Sequence, residues 1–593
     1  MKLNQHHNQF LKIFLSILFL MFALAIYFIQ YSNMGYNFSI YDQLPYESLV
    51  LIILSNICGF FITLSFYRNG NDFWKLGFVL IILSNIIIIL LPFVLGYSYS
   101  SNSDHLTHMG FIKDILQTGT IKSGLNRNIY PITPILSTEI SLFTGIQMNT
   151  VAFFIGLIFY LAFILYTYIF SKSITTNSKF FSLMASTILI GYYFKEIFPM
   201  GFAFLTYPLI FYVFFKYREE KNINFAILVV FLVSFMAFFH IISSLILTIL
   251  LFCYEIFNFS YGYIYHKKKN YEISVTLTIL SLIILILWMW QISWVWDESI
   301  NNILRLANLD LLSKPMVQTA GESFNKLGLN GFQIIELFIK TYLPIFIFAI
   351  LSAIAGLKII FNKKSAMQNR LTFILSLMSV ICIFLWLIDY VFPLSSLTSG
   401  RLLWLVVPIF PIFVGISLYS ITKSKKVKNE KLNYTIIFII LITCSLITLF
   451  ALYPSPPIYK YNTAVSNSEI MGFEWIINES NHDIQTIGAG FEPTYRYENA
   501  LKGTLNTKRE RTDWKGVSDH FNYTEFNQIG EEYNKDKYMI LRTNFLKSLY
   551  GGIYKNLNRF NDEDFNKLSI DQTTFKIYQN GETDIWYIKS INS

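Results

Sequence analysis

Apolar runs long enough to cross a bilayer recur along the first three quarters of this 593-residue chain, and nothing else in it constrains folding so strongly. A hydrocarbon core of ~30 Å needs about 20 apolar residues in helical form, because only helices and closed barrels satisfy their backbone there. Apolar runs, some of them shorter than this, fall at 11–30, 48–67, 76–96, 149–170, 180–195, 201–215, 223–239, 241–257, 272–292, 336–360, 371–388, 402–421 and 433–453. They predict a polytopic α-helical membrane protein with about 13 transmembrane helices. Charged residues make up 14% of the chain, against roughly a quarter in soluble domains. The run at 11–30 is long for a signal peptide and lacks a small-residue cleavage site, so it reads as a retained first span.

Charge orients the spans. With a cytoplasmic N-terminus, alternate connections carry Arg68 and Lys75, Lys172 and Lys179, then Lys216, Arg218 and Lys221. Lys267 to Lys269, then Lys363, Lys364 and Arg370, and finally KSKKVKNEK complete the series. Every one of these connections is basic, as cytoplasmic loops are. The net charge of +9 is thereby accounted for, and nucleic acid is not an expected partner. The loop at 97–148, the turn at Lys195 and Glu196, the loops at 293–335 and 389–401, and everything after residue 453 then face outward. Cys58, Cys253, Cys382 and Cys444 all lie inside apolar runs without metal-ligand spacing, which favours packing.

Pro454, Pro456 and Pro457 mark a linker, since proline cannot continue a helix. Beyond it the chain turns polar. DKYMILRT and TTFKIYQNGETDIWYI read as strands, the latter with a turn at Asn-Gly, and SEIMGFEWIINES reads as a helix. A small extracytoplasmic α/β or α+β domain is expected at 454–593, after a core at 76–453 and two extra N-terminal helices within 1–75.

The loop at 97–148 holds the richest chemistry. Ser103 is placed to cap a helix beginning at Asp104 and Gly119 to end it, with Leu106, Met109, Ile112 and Leu116 at helical spacing. Such a helix suits the membrane surface or the side of the bundle. Asp104 and His108 are one turn apart and share a face. A second helix, with Pro134 in its first turn, ends at Gly145 and carries Glu139. Arg127 and Tyr130-Pro131 lie between. Each residue also has an ordinary reading: helix capping for Asp104, an interfacial histidine for His108, surface or packing for Glu139.

This loop resembles the first large outer loop of the GT-C superfold of polyprenyl-phosphate-sugar-dependent glycosyltransferases. The matching features are Asp104, the DHLTHMGFIKDILQTG helix, Tyr130-Pro131 with Pro134, and the helix ending Leu142-Phe143-Thr144-Gly145. The resemblance lies with the mannosyltransferase and arabinosyltransferase-like members. The W-W-D-Y-G signature of oligosaccharyltransferase catalytic subunits is absent, and two spans precede the core.

The resemblance implies an enzyme moving a sugar from a polyprenyl-phosphate donor to a glycan, lipid or protein acceptor, in cell-envelope glycan or glycoprotein assembly. Asp104 would be the general base, and Lys195 and Glu196 would lie at a second outer turn of the site. His240 would mark a break between spans, and Arg401 would meet the lipid phosphate. Arg305, Lys314 and Glu322 are within reach of the donor by position alone. A divalent cation, Mg2+ or Mn2+, held by Asp104, His108 or Glu196 is needed by only some members. Two other readings stay open: a transporter or flippase for a lipid-linked glycan, and a noncatalytic envelope-assembly protein.

Overall fold

A computed structural model describes residues 24, 26, 36–121, 130–190, 196–266, 275–292, 295–297, 299–301, 316–362, 370–391, 408–423, 429–489 and 493–591. Among them, seven helices are long and apolar enough to cross a membrane, and shorter apolar helices at Trp74–Ile89, Ile223–Phe239, Thr276–Trp290 and Phe410–Thr422 pack with them. The chain is a polytopic α-helical membrane protein with a small C-terminal sheet region.

Most expected spans match helices closely. The run at 11–30 lies outside the described residues apart from two positions. The run at 180–195 departs from expectation, because its helix covers only Lys179–Ser186. Where it unwinds, the Thr187 carbonyl accepts hydrogen bonds from Asn85 Nδ2 (2.8 Å) and the Tyr160 hydroxyl (3.1 Å). A non-helical backbone at membrane depth persists only when its polar groups are met in this way. The first two described spans cross on small residues: a Cβ at Gly77 would sit 2.7 Å from the Gly59 carbonyl oxygen. At His240 the backbone is extended (φ −166°, ψ 125°), separating the Ile223–Phe239 helix from Ile241–His266.

The C-terminal sheet has strands β1 (Gln485–Ala489), β2 (Lys537–Leu541), β3 (Thr574–Gln579) and β4 (Asp584–Ile588), in the order β1-β2-β4-β3. β1 runs parallel to β2, and the other pairs are antiparallel. β2 to β4 fall where the sequence predicts strands. The Asn-Gly turn is a four-residue loop in which Gly581 takes φ 91° and the Asn580 side chain accepts from the amides of Glu582 and Thr583.

One sheet face, with Ile540 and Ile585, packs against the Asn467–Glu479 helix and is continuous with the core of the helical bundle. The other, with Met539, Leu541 and Trp586, closes a separate core over Phe521 and Leu546. The expected linker is not a loose tether. After Pro457 the chain pairs with the start of the 97–148 loop, Ser98 N–H donating to Val465 O (2.9 Å), Val465 N–H to Tyr99 O (2.9 Å) and Asn102 N–H to Thr463 O (2.9 Å).

Candidate functional site

The site is built on the Asp104–Thr118 helix. Its apolar positions Leu106, Met109 and Ile112 are buried in the bundle core, and Gly119 ends it with φ 66°, as its sequence predicts. Ser103 stands at the N-cap, but its hydroxyl turns to Ser101 (2.9 Å) and caps nothing.

The helix is not a surface helix on its outer side. That side is covered by the Thr494–Lys502 helix of the C-terminal region. Arg496 Nη1 lies 2.7 Å from Asp104 Oδ1. Asn499 Nδ2 donates to Thr107 Oγ1 (3.4 Å), Lys113 donates to the Leu501 carbonyl, and the Asp114 carboxylate accepts from Thr504 N (3.0 Å) and the Thr504 hydroxyl. Gly110 permits this approach, since a Cβ there would lie 2.7 Å from the Asn499 carbonyl oxygen. Asp104 is thus held between two regions of the chain while its side chain stays 81% exposed; that of Arg496 is 20% exposed.

Two histidines lie beneath the pair. His105 Nδ1 accepts a hydrogen bond from Ile197 N–H (3.1 Å), so its neutral form carries the proton on Nε2. Burial, helped by neighbouring His108, pushes the His105 imidazole down to about 3. Burial also pushes His108 down to about 4; Asp104 opposes that shift and Arg496 adds to it. His108 Nδ1 is buried without a hydrogen-bond partner among the described residues. The His105 bond ties this helix to the segment holding Glu196, whose Oε2 is likewise buried and has no hydrogen-bond partner among the described residues.

The other expected site residues are distributed elsewhere. Tyr130 stacks on His240 (ring centroids 4.4 Å apart, 26° between planes), beside Ala237, Ile241 and Leu285. The two are partners of each other, in a cluster separate from the one around Asp104. Glu139 is exposed on the Ile132–Thr144 helix, whose buried side is Thr133, Pro134, Ser137 and Thr138. Glu322 is exposed on the Met316–Lys326 helix. Arg127, Lys195, Arg305, Lys314 and Arg401 lie outside the described residues. Among the described residues no three or more His, Cys, Asp or Glu side chains converge as a metal ion requires, so Asp104, His108 and Glu196 are not gathered into one cluster.

Three features escaped the sequence reading. His105 sits on the apolar side of its helix, and its i,i+3 relation to His108 is the signal that would have found it. Arg496 is one of many basic residues in a polar region, and nothing local marks it. Next to it, Tyr497 donates to Glu469 (2.5 Å), which is ion-paired with Arg542 (3.0 Å) under the Tyr36 ring (3.7 Å to the guanidinium). A buried acid within a described span, Glu255, meets Arg218 at 3.1 Å.

No family model and no curated protein matches the sequence. Among solved structures, the chain is similar over 86% of its length to the Archaeoglobus fulgidus oligosaccharyltransferase in its apo form (TM-score 0.47, 8% identity, 74% of that chain). It is similar over the same share to ArnT from Cupriavidus metallidurans bound to undecaprenyl phosphate (TM-score 0.47, 9% identity, 97% of that chain).

Proposed function

We propose that the protein is an integral-membrane glycosyltransferase of the GT-C kind, moving a sugar from a polyprenyl-phosphate-linked donor to an acceptor hydroxyl on the outer face. The observation that carries this is Asp104: a solvent-open carboxylate on a helix gripped by the bundle on one side and the C-terminal region on the other. A base fixed in this way meets the positional requirement of general-base catalysis. The sequence resemblance of the surrounding loop and the basic alternate connections support the reading.

In the reaction, the acceptor oxygen attacks the anomeric carbon and its proton passes to Asp104. The bond from that carbon to the phosphate oxygen breaks, its electron pair staying on the phosphate, which leaves on its lipid. One displacement gives inversion. The neutral histidines beneath add no positive charge to oppose proton transfer to Asp104. Glu196 and Arg401 are proposed to complete the site. A divalent cation would supply charge neutralisation to the leaving phosphate, and loss of transfer in chelator, restored by Mg2+ or Mn2+, is the measurement that would bring one in.

Purified protein in proteoliposomes, given a panel of tritiated polyprenyl-phosphate monosaccharides and lipid, glycan or protein acceptors, should form a new glycosidic bond with one of them. Movement of label across the bilayer with no bond formed would overturn the proposal in favour of a transporter.

A further inference from the structure

The Asp104–Arg496 contact joins two unequal partners. The guanidinium is sheltered on a helix packed against the site helix, whereas the carboxylate projects into water. Asp104 is also the first residue of a 15-residue helix, whose N-terminal end favours negative charge. A guanidinium and a helix end therefore face one point, and the chain's own carboxylate fills it. Guanidinium binds phosphate oxygens as readily as carboxylate ones, often bidentately. With its carboxylate open to solvent, the pair is screened on that side and open to exchange.

We propose that Arg496 is the binding site for the phosphate of the lipid-linked donor, and that Asp104 occupies it until the phosphate arrives. This deepens the transferase reading and rests on it. While paired to Arg496, Asp104 turns its Oδ1 to the guanidinium and not to an acceptor hydroxyl. Donor phosphate takes the guanidinium and releases Asp104 for the acceptor hydroxyl, so donor binding precedes activation of the base. The chemistry then strengthens the contact. The donor is a phosphodiester with one negative charge, and the lipid phosphate that leaves is a monoester carrying about −1.5 to −2 at neutral pH. Arg496 thus holds the leaving group more tightly than the donor, which is the differential binding that accelerates a reaction. Sequence alone gave no hint of this, since Arg496 lies 392 positions after Asp104.

The test uses the full-length protein in nanodiscs, with undecaprenyl phosphate as probe and native mass spectrometry as readout; melting profiles confirm that each variant is folded. Arg496→Gln should weaken binding about ten-fold or more, the scale of a lost charge-assisted contact. Arg496→Lys should recover part of it. Asp104→Asn should tighten binding about two- to five-fold, because it removes the internal competitor. Undecaprenol, which lacks the phosphate, should bind equally to wild type and all three variants. Weaker binding of the phosphate to both Arg496→Gln and Asp104→Asn would mean the pair is only a structural clasp, sinking the switch but leaving the transferase reading standing. Equal binding of the phosphate to all variants would remove Arg496 from the site. No binding to any form would overturn the switch and the lipid-phosphate donor together.

Discussion

His105 and His108 are the titratable groups whose surroundings speak most clearly. Both imidazoles are buried and held neutral, at about 3 and about 4 against an ordinary 6.5. Between about pH 4 and pH 6.5 the unfolded chain binds protons that the folded chain refuses, so stability should rise with pH in that window and level off above it. Melting temperatures of the purified protein should fall on acidification from pH 6.5, and His105→Asn and His108→Asn should each flatten that slope. An unchanged slope would mean the imidazoles are not sheltered. The sequence placed Asp104 and His108 on one face by their spacing. It gave no sign that His105 would face the turn at Ile197, because that partner lies 92 positions away.

At the scale of the element, the Asp104–Thr118 helix was legible in outline because caps and apolar spacing are local signals. Its second contact surface was not, since Thr107, Gly110 and Asp114 read as an ordinary solvated side until the C-terminal region covers them. Gly110→Leu should therefore destabilise the protein by about 1–3 kcal/mol through overpacking. A disulfide between cysteines placed at Thr107 and Asn499, formed readily in the parent, should be lost in the same variant. Retained crosslinking and an unchanged melt would show that the two helices do not pack this closely. The broken run at 180–195 was illegible for a related reason: the Asn85 and Tyr160 groups that stabilise its unwound end come from other spans.

Across the whole molecule, the lengths of the hydrophobic runs carried most of the architecture, because the bilayer sets them. What they could not convey is how firmly the C-terminal region is seated. Glu469 and Arg542 form a buried ion pair there, held from above by Tyr36 of the N-terminal part and from the side by Tyr497, the neighbour of Arg496. Glu469→Ala strands a buried guanidinium and should cost about 3–5 kcal/mol in denaturant titration, whereas a Glu469→Met/Arg542→Met double variant should cost less.

The proposed orientation has its own check. His482 and Lys221 are both exposed, and single cysteines there would lie on opposite faces in that orientation. An impermeant maleimide should label position 482 in intact cells and position 221 only after permeabilisation; the reverse pattern would place the site on the cytoplasmic side.

The central claim is that Asp104 is the base of a sugar transfer, and the most direct measurement is initial-rate transfer by purified Asp104→Asn protein with the labelled lipid-linked sugar that the wild type accepts. The amide keeps the side chain's shape but cannot take the proton. The rate should fall by about 10²–10⁴-fold with the melting temperature unchanged. Transfer at the wild-type rate would contradict the account.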